Sequence, residues 1–170
     1  MAVAEWYDGE LIGQALADLF RDGLGTQLAA ITTERDDGIP LPEPTAYYYS
    51  ESGVPAKAAG PLLWVSGGRA VSGESVGQFR RIVQGTFLVS IWFRYEGEDR
   101  VRIPRLSDRY GHACYRTIVE HVQAVALDGE GLLGGLATFL DVAQIESGDQ
   151  LAGSADGAAV LSVTAKTVSR

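Results

Sequence analysis

At 170 residues, 46% hydrophobic and 21% charged, the chain has the size and composition of one globular domain, 1–170, with an ordinary core. A net charge of −8 works against tight nucleic-acid binding, because an acidic protein repels a polyanion at long range. Cys114 is the only cysteine, which excludes an internal disulfide and a thiolate-rich metal site within one chain.

No run of eighteen apolar residues occurs, and Glu5, Asp8 and Glu10 stand where a signal peptide needs positive charge. A cytosolic protein that does not enter membranes is the expectation. The charge is unevenly spread: residues 1–60 carry ten acids and three bases, 61–110 five acids and eight bases, and 111–170 seven acids and three bases. A basic middle lies between two acidic flanks.

From Asp8 to Arg35, Ile12, Leu16, Leu19, Phe20, Leu24, Leu28 and Ile31 recur at helical spacing, and Asp8 is placed to cap the N-terminus. Gly23 and Gly25 each weaken a helix by about 1 kcal/mol relative to alanine, so a break into two shorter helices near Asp22–Gly25 is the alternative. Asp36, Asp37 and Gly38 end the helix. Pro40, Pro42 and Pro44 then hold 38–44 extended, because each disfavours helical geometry in the residue before it.

A sheet is predicted over 45–103. Thr45–Ser50 and Leu62–Val65 have the aromatic and β-branched content of strands. The strongest strand pattern spans Phe79 to Tyr95. There Val83, Phe87, Val89, Ile91, Phe93 and Tyr95 alternate with Arg80, Gln84, Leu88, Ser90, Trp92 and Arg94, which predicts one core face and one half-polar face. Its length suggests either a bend or bulge at Gly85 or a hairpin projecting past the core, turning at Glu96–Asp99. Ser107 is a candidate cap for a second helix over 107–127, with Tyr110, Ala113, Cys114, Thr117, Ile118, His121, Val122 and Val125 inward and Asp128–Gly129 as the stop. After a glycine-rich link, strands are predicted at Ala137–Ile145 and Ala159–Val168, joined by the loop 147–157. The expected class is α+β, an antiparallel or mixed β-sheet with two main helices packed on one side.

Chemistry-bearing patterns are few. Gly68 to Ser75 has the spacing of a phosphate-binding loop after a strand, but Glu74 stands where such a loop needs a lysine. A plain Gly/Ser loop is the expectation. On one helix His112 and Cys114 stand about 200° apart, and Cys114 and His121 are about two turns apart, so the three cannot share a metal. Cys114 lies on the apolar stripe, where a thiol is a small buried hydrophobe. Asp36–Asp37 and Glu98–Asp99 are adjacent acids of helix end and turn, a poor arrangement for acid–base work. Trp64, Trp92, Tyr47, Tyr48 and Tyr49 suit core and protein interface better than ligand stacking. Neither an enzyme nor a cofactor is expected.

The stretch Ala30-Ile-Thr-Thr-Glu34-Arg-Asp-Asp-Gly38-Ile-Pro-Leu-Pro-Glu-Pro44-Thr-Ala-Tyr-Tyr-Tyr49 resembles the opening of small tail-completion proteins of long-tailed bacteriophages, tail terminators above all. The strand Phe87-Leu-Val-Ser-Ile-Trp-Phe93 and the helix holding Asp108-Arg-Tyr110 follow in that family's order. The resemblance implies a virion protein, usually a hexameric ring, that caps the tail tube, stops its polymerisation and meets the head connector, with DNA passing through the lumen unbound. Another neck component is the rival within that class. A ligand-binding protein or enzyme using the Gly68–Gly77 loop is the more distant one. A ring needs two different surfaces per subunit, and the charge split points to Asp36 and Asp37 on the acidic side. Arg80, Arg81, Trp92, Arg94, Arg100 and Arg102 mark the basic side.

Overall fold

The computed structural model describes residues 7–50, 60–75, 81–95, 102–128, 131–148 and 156–169. Helix α1 runs unbroken over Gly9–Arg35. Asp8 caps it as expected, its carboxylate accepting the Leu11 N–H at 3.0 Å. The break near Gly25 is absent, because Phe20, Leu24, Leu28 and Ile31 keep one buried stripe on either side of the two glycines. Tertiary burial offsets their poor propensity. Asp36 closes the helix in the left-handed region, at φ 44°.

Strands β1 (Ala46–Tyr49), β2 (Leu62–Gly67), β3 (Val71–Ser75), β4 (Arg81–Arg94), β5 (Phe139–Gly148) and β6 (Asp156–Ser169) form one mixed sheet among the described residues. Their order is β1-β2-β4-β6-β5, with β3 also on β4. β1 joins β2 in parallel and every other pairing is antiparallel. β4 and β6 pair without interruption from Arg81↔Ser169 to Arg94↔Asp156, so no bulge interrupts that pairing at Gly85. Gly85 has a different reason. A Cβ there would lie 1.7 Å from the Tyr7 hydroxyl, which donates instead to the Gly68 carbonyl at 2.7 Å.

Helix α2 spans Arg102–Asp128 and starts five residues before the expected Ser107. Pro104 suits a first turn, where a missing N–H leaves no bond unmade, and Ile103 and Leu106 extend the buried stripe toward the N-terminus. Ser107 is therefore interior to the helix and buried, its hydroxyl without a partner among the described residues. The strand segment predicted over 45–103 correspondingly stops short of 103: β4 ends at Arg94 and Arg102 already belongs to α2. The short α3, Leu132–Gly135, is a turn in which Leu133 and Gly134 take positive φ. The expected turn at 96–99 lies outside the described residues, as does most of the loop 147–157.

Both long helices pack on one side of the sheet. Ile12, Leu16, Phe20, Leu24, Ile103, Tyr110, Ala113, Cys114 and Ile118 meet Leu63, Val65, Phe87, Val89, Ile91, Phe93, Leu161 and Val163 in a single core. The fold is α+β, with both helices on one face of a mixed sheet, as the sequence pattern implied.

Candidate functional site

With both helices on one face, the other face of the sheet is left open among the described elements. Strand alternation decides what it carries. In β4 the inward set is Phe87, Val89, Ile91 and Phe93, all buried, which leaves Leu88, Ser90, Trp92 and Arg94 outward. Cross-strand register adds their neighbours. Tyr48, Trp64, Ser90 and Val160 form one row, and Ala46, Leu62, Trp92 and Ala158 form the next. Leu62 and Ser90 are buried within this set, and Tyr48, Trp64, Trp92 and Val160 are half-buried. Leu88 beside them is 46% exposed.

A sheet with one solvated face ordinarily alternates apolar inward with polar outward. Here the outward rows at the β1–β2 end hold two tryptophans, a tyrosine and leucines, whereas the far end turns polar through Thr86, Thr164 and Lys166. The Lys166 ammonium sits 5.1 Å above the Phe139 ring on the outer face. An apolar, aromatic patch with a polar margin has the composition of a protein interface.

The predicted interface residues are distributed unequally around it. Trp92 lies inside the patch and Arg94 on its margin, exposed and opposite Asp156. Arg81 lies at the far end of β4, and Arg102 is exposed in the first turn of α2. Arg80 and Arg100 lie outside the described residues. Asp36 is the exposed C-cap of α1.

Asp37 does not serve as a free acidic surface. Its carboxylate takes both arms of the Arg109 guanidinium, the Nη1 contact being 3.1 Å, and that guanidinium is buried. The pairing holds the Asp37 carboxyl down at about pH 2. Arg109 is thus part of the frame: it ties the loop after α1 to α2. Arg116 and Glu34 form a second, exposed pair between the helices at 2.7 and 2.8 Å.

The tyrosines divide by face. Tyr47 and Tyr49 turn inward against the core, while Tyr48 turns outward. Tyr110 lies on α2 beneath the proline connector, stacks on Phe93 at 5.1 Å and donates to the Pro42 carbonyl at 2.8 Å. That bond fastens the connector.

The two histidines and the cysteine do not converge. His121 Nε2 accepts the Leu133 N–H at 3.1 Å, which fixes the turn before β5, and burial lowers its pKa. His112 lies beside Tyr115 in an edge contact. Burial pushes the Cys114 thiol far up and leaves it a packing group. No group of three His, Cys, Asp or Glu side chains fit to hold a metal ion occurs among the described residues. No helix among them is long and apolar enough to cross a membrane. The glycine segment is corrected as well: Val71–Ser75 is a strand on β4, whereas a phosphate loop opens a helix.

What the sequence signal missed is the extent of the open face. Tyr48, Trp64 and Val160 come from three separate strands, and only the register of the sheet puts them in one row. No protein-family model and no curated protein matches the chain.

Proposed function

We propose that this chain is a structural subunit of a bacteriophage or prophage tail, a tail terminator that assembles as a ring on the end of the tail tube, ends its polymerisation and joins the tail to the head connector. The reading takes its identity from the resemblance of Ala30–Tyr49, Phe87–Phe93 and the Asp108–Tyr110 helix. The observation that carries its physical side is the open aromatic face of Tyr48, Trp64, Leu88 and Trp92. Leu88 is exposed on that face and Tyr48, Trp64 and Trp92 are partly so, and a second protein surface completes their burial.

No chemistry is assigned to the chain in this role. Its work is to bind, and to bind in the right order: to copies of itself, to the tube protein and to the connector. The acidic composition suits a lumen through which duplex DNA slides by like-charge repulsion.

The test is addition of the purified protein to polymerising tail tubes. Tubes should stop at shorter length, and negative-stain images should show a ring at one tip. Trp64→Ser with Trp92→Ser should abolish both effects while leaving the circular-dichroism spectrum unchanged. Tubes of unaltered length carrying no added density would overturn the proposal.

A further inference from the structure

The flank of α2 that meets the end of α1 carries a row of basic groups. Arg105, Arg109, His112 and Arg116 recur at three- and four-residue steps, so they share one side of that helix. Arg35 adds another from the last turn of α1. Between the two helices Arg35, Arg105, Arg109 and His112, with the carboxylates of Asp37 and Asp108, line a cleft of about 410 Å³. That is the size of a small-molecule site. Of the described residues around it only Ile31 is apolar, so it suits an ionic ligand and not an aliphatic one.

Ion pairing accounts for some of these charges and leaves others. Glu34 holds Arg116 at 2.7 and 2.8 Å, and Asp37 takes both terminal nitrogens of Arg109. Arg35 acts on Glu34 only at range, and that carboxylate is already committed to Arg116. No ion pair or side-chain hydrogen bond among the described residues engages Arg35 or Arg105, and both are exposed. Asp108 is the one carboxylate on the wall with no basic partner among those residues. Two uncommitted guanidiniums thus face one carboxylate, with the His112 ring as a further donor. The cleft is a positive site in a chain of net charge −8.

The shape of the donor set narrows the anion. Arg35 reaches in from α1, and Arg105 and His112 from successive turns of α2, so the donors come from separate directions. A tetrahedral oxyanion turns an oxygen to each of them, whereas a planar carboxylate is matched to a single guanidinium fork. The acidic remainder of the chain opposes a polyanion at long range and leaves a small, mobile anion as the ligand.

We propose that this cleft binds a small phosphate-type oxyanion, free or as the head of a small ester, clamped between Arg35 and Arg105. Its binding ties the end of α1 to the first turns of α2, which Asp37 and Arg109 already join. The site depends neither on ring formation nor on any tail component.

The test is a titration of the isotope-labelled full chain at fixed ionic strength, followed by amide chemical shifts. The probes are inorganic phosphate, glycerol phosphate as the ester, and acetate as the planar anion. Shifts should saturate and cluster at 31–37 and 105–112. Arg35→Ala and Arg105→Ala should each weaken phosphate binding roughly three- to tenfold, the loss of one charge-assisted contact near the surface. Asp108→Asn should strengthen it, because the opposing charge is gone. Arg21→Ala, earlier on α1 and paired with Asp18, changes the net charge equally and should leave the affinity unaltered. All four positions are exposed, so the fold survives each change. Glycerol phosphate binding tighter than phosphate assigns the esterified form, and the reverse assigns the free ion. Acetate binding as tightly as either, no shift at millimolar phosphate, shifts spread over the whole chain, or wild-type affinity in Arg105→Ala would overturn the site.

Discussion

At the scale of single residues, several groups that resemble functional side chains hold the frame. Arg109 is the sharpest case, because its charge is buried and Asp37 is its only charged partner among the described contacts. Removing one member of such a pair costs more than replacing the buried charge itself, since the partner is then left uncompensated. Asp37→Ala should therefore lower the melting temperature more than Arg109→Leu does, which differential scanning calorimetry would measure. Protonation does to Asp37 what the mutation does. Its folded-state pKa lies near 2 against 3.8 unfolded, so its contribution is complete above pH 4 and is lost as pH falls toward 2.

His121 follows the opposite chemistry with the same sign. Its neutral ring must accept the Leu133 N–H, and burial depresses its pKa below 6.5. Its contribution is complete above pH 6.5 and falls away as the solution is acidified through the folded pKa. The gap in urea midpoint between the wild type and His121→Ala should shrink below pH 6.5; a gap constant from pH 8 to pH 4 would refute that role.

At the scale of elements, the first helix shows how local and tertiary signals combine. Asp8, the apolar stripe and the acidic stop after Arg35 were legible as a pattern, and the helix fills those limits. Gly23 and Gly25 gave a misleading signal. Intrinsic propensity counts for about 1 kcal/mol per glycine, and a stripe of four fully buried large side chains outweighs it. The cap is separable from that stripe: Asp8→Ala should cost about 1 kcal/mol in chemical denaturation, the usual loss when an N-cap carboxylate is removed.

Gly85 belongs to the same scale, because its meaning lies in another element. Gly85→Ala places a methyl where the Tyr7 hydroxyl sits, so it should free Tyr7 from Gly68 and speed amide exchange at the start of α1. Tyr7→Ala should cancel most of the added effect of Gly85→Ala in a double-mutant cycle, which strict additivity would contradict.

At the scale of the whole molecule, the division is between a sheet face that the helices cover and one that they leave open. The alternation along β4 predicted both faces of that strand, and Trp92 and Arg94 were rightly placed on the outward one. Their grouping with Tyr48, Trp64 and Val160 depends on strand order, which joins β1 to β2 in parallel and inserts β6 beside β4. A surface made in this way should be tolerant of polar substitution in the isolated subunit and intolerant of it in the assembly. Trp64→Ser should leave the melting temperature within a few degrees of the wild type and remove tube capping.

Local chemistry, then, was enough to determine the class of fold, the limits of α1, the two-faced character of β4 and the inert position of Cys114. These depend on periodicity, caps and steric preference within a few residues, which the chain order carries directly. Tertiary structure alone decided that α2 begins at Arg102, that Asp37 is committed to Arg109, that His121 fastens a turn, and that aromatic residues from separate strands meet on one open face. Each depends on which distant group arrives beside a residue, and burial and register, not sequence spacing, set that.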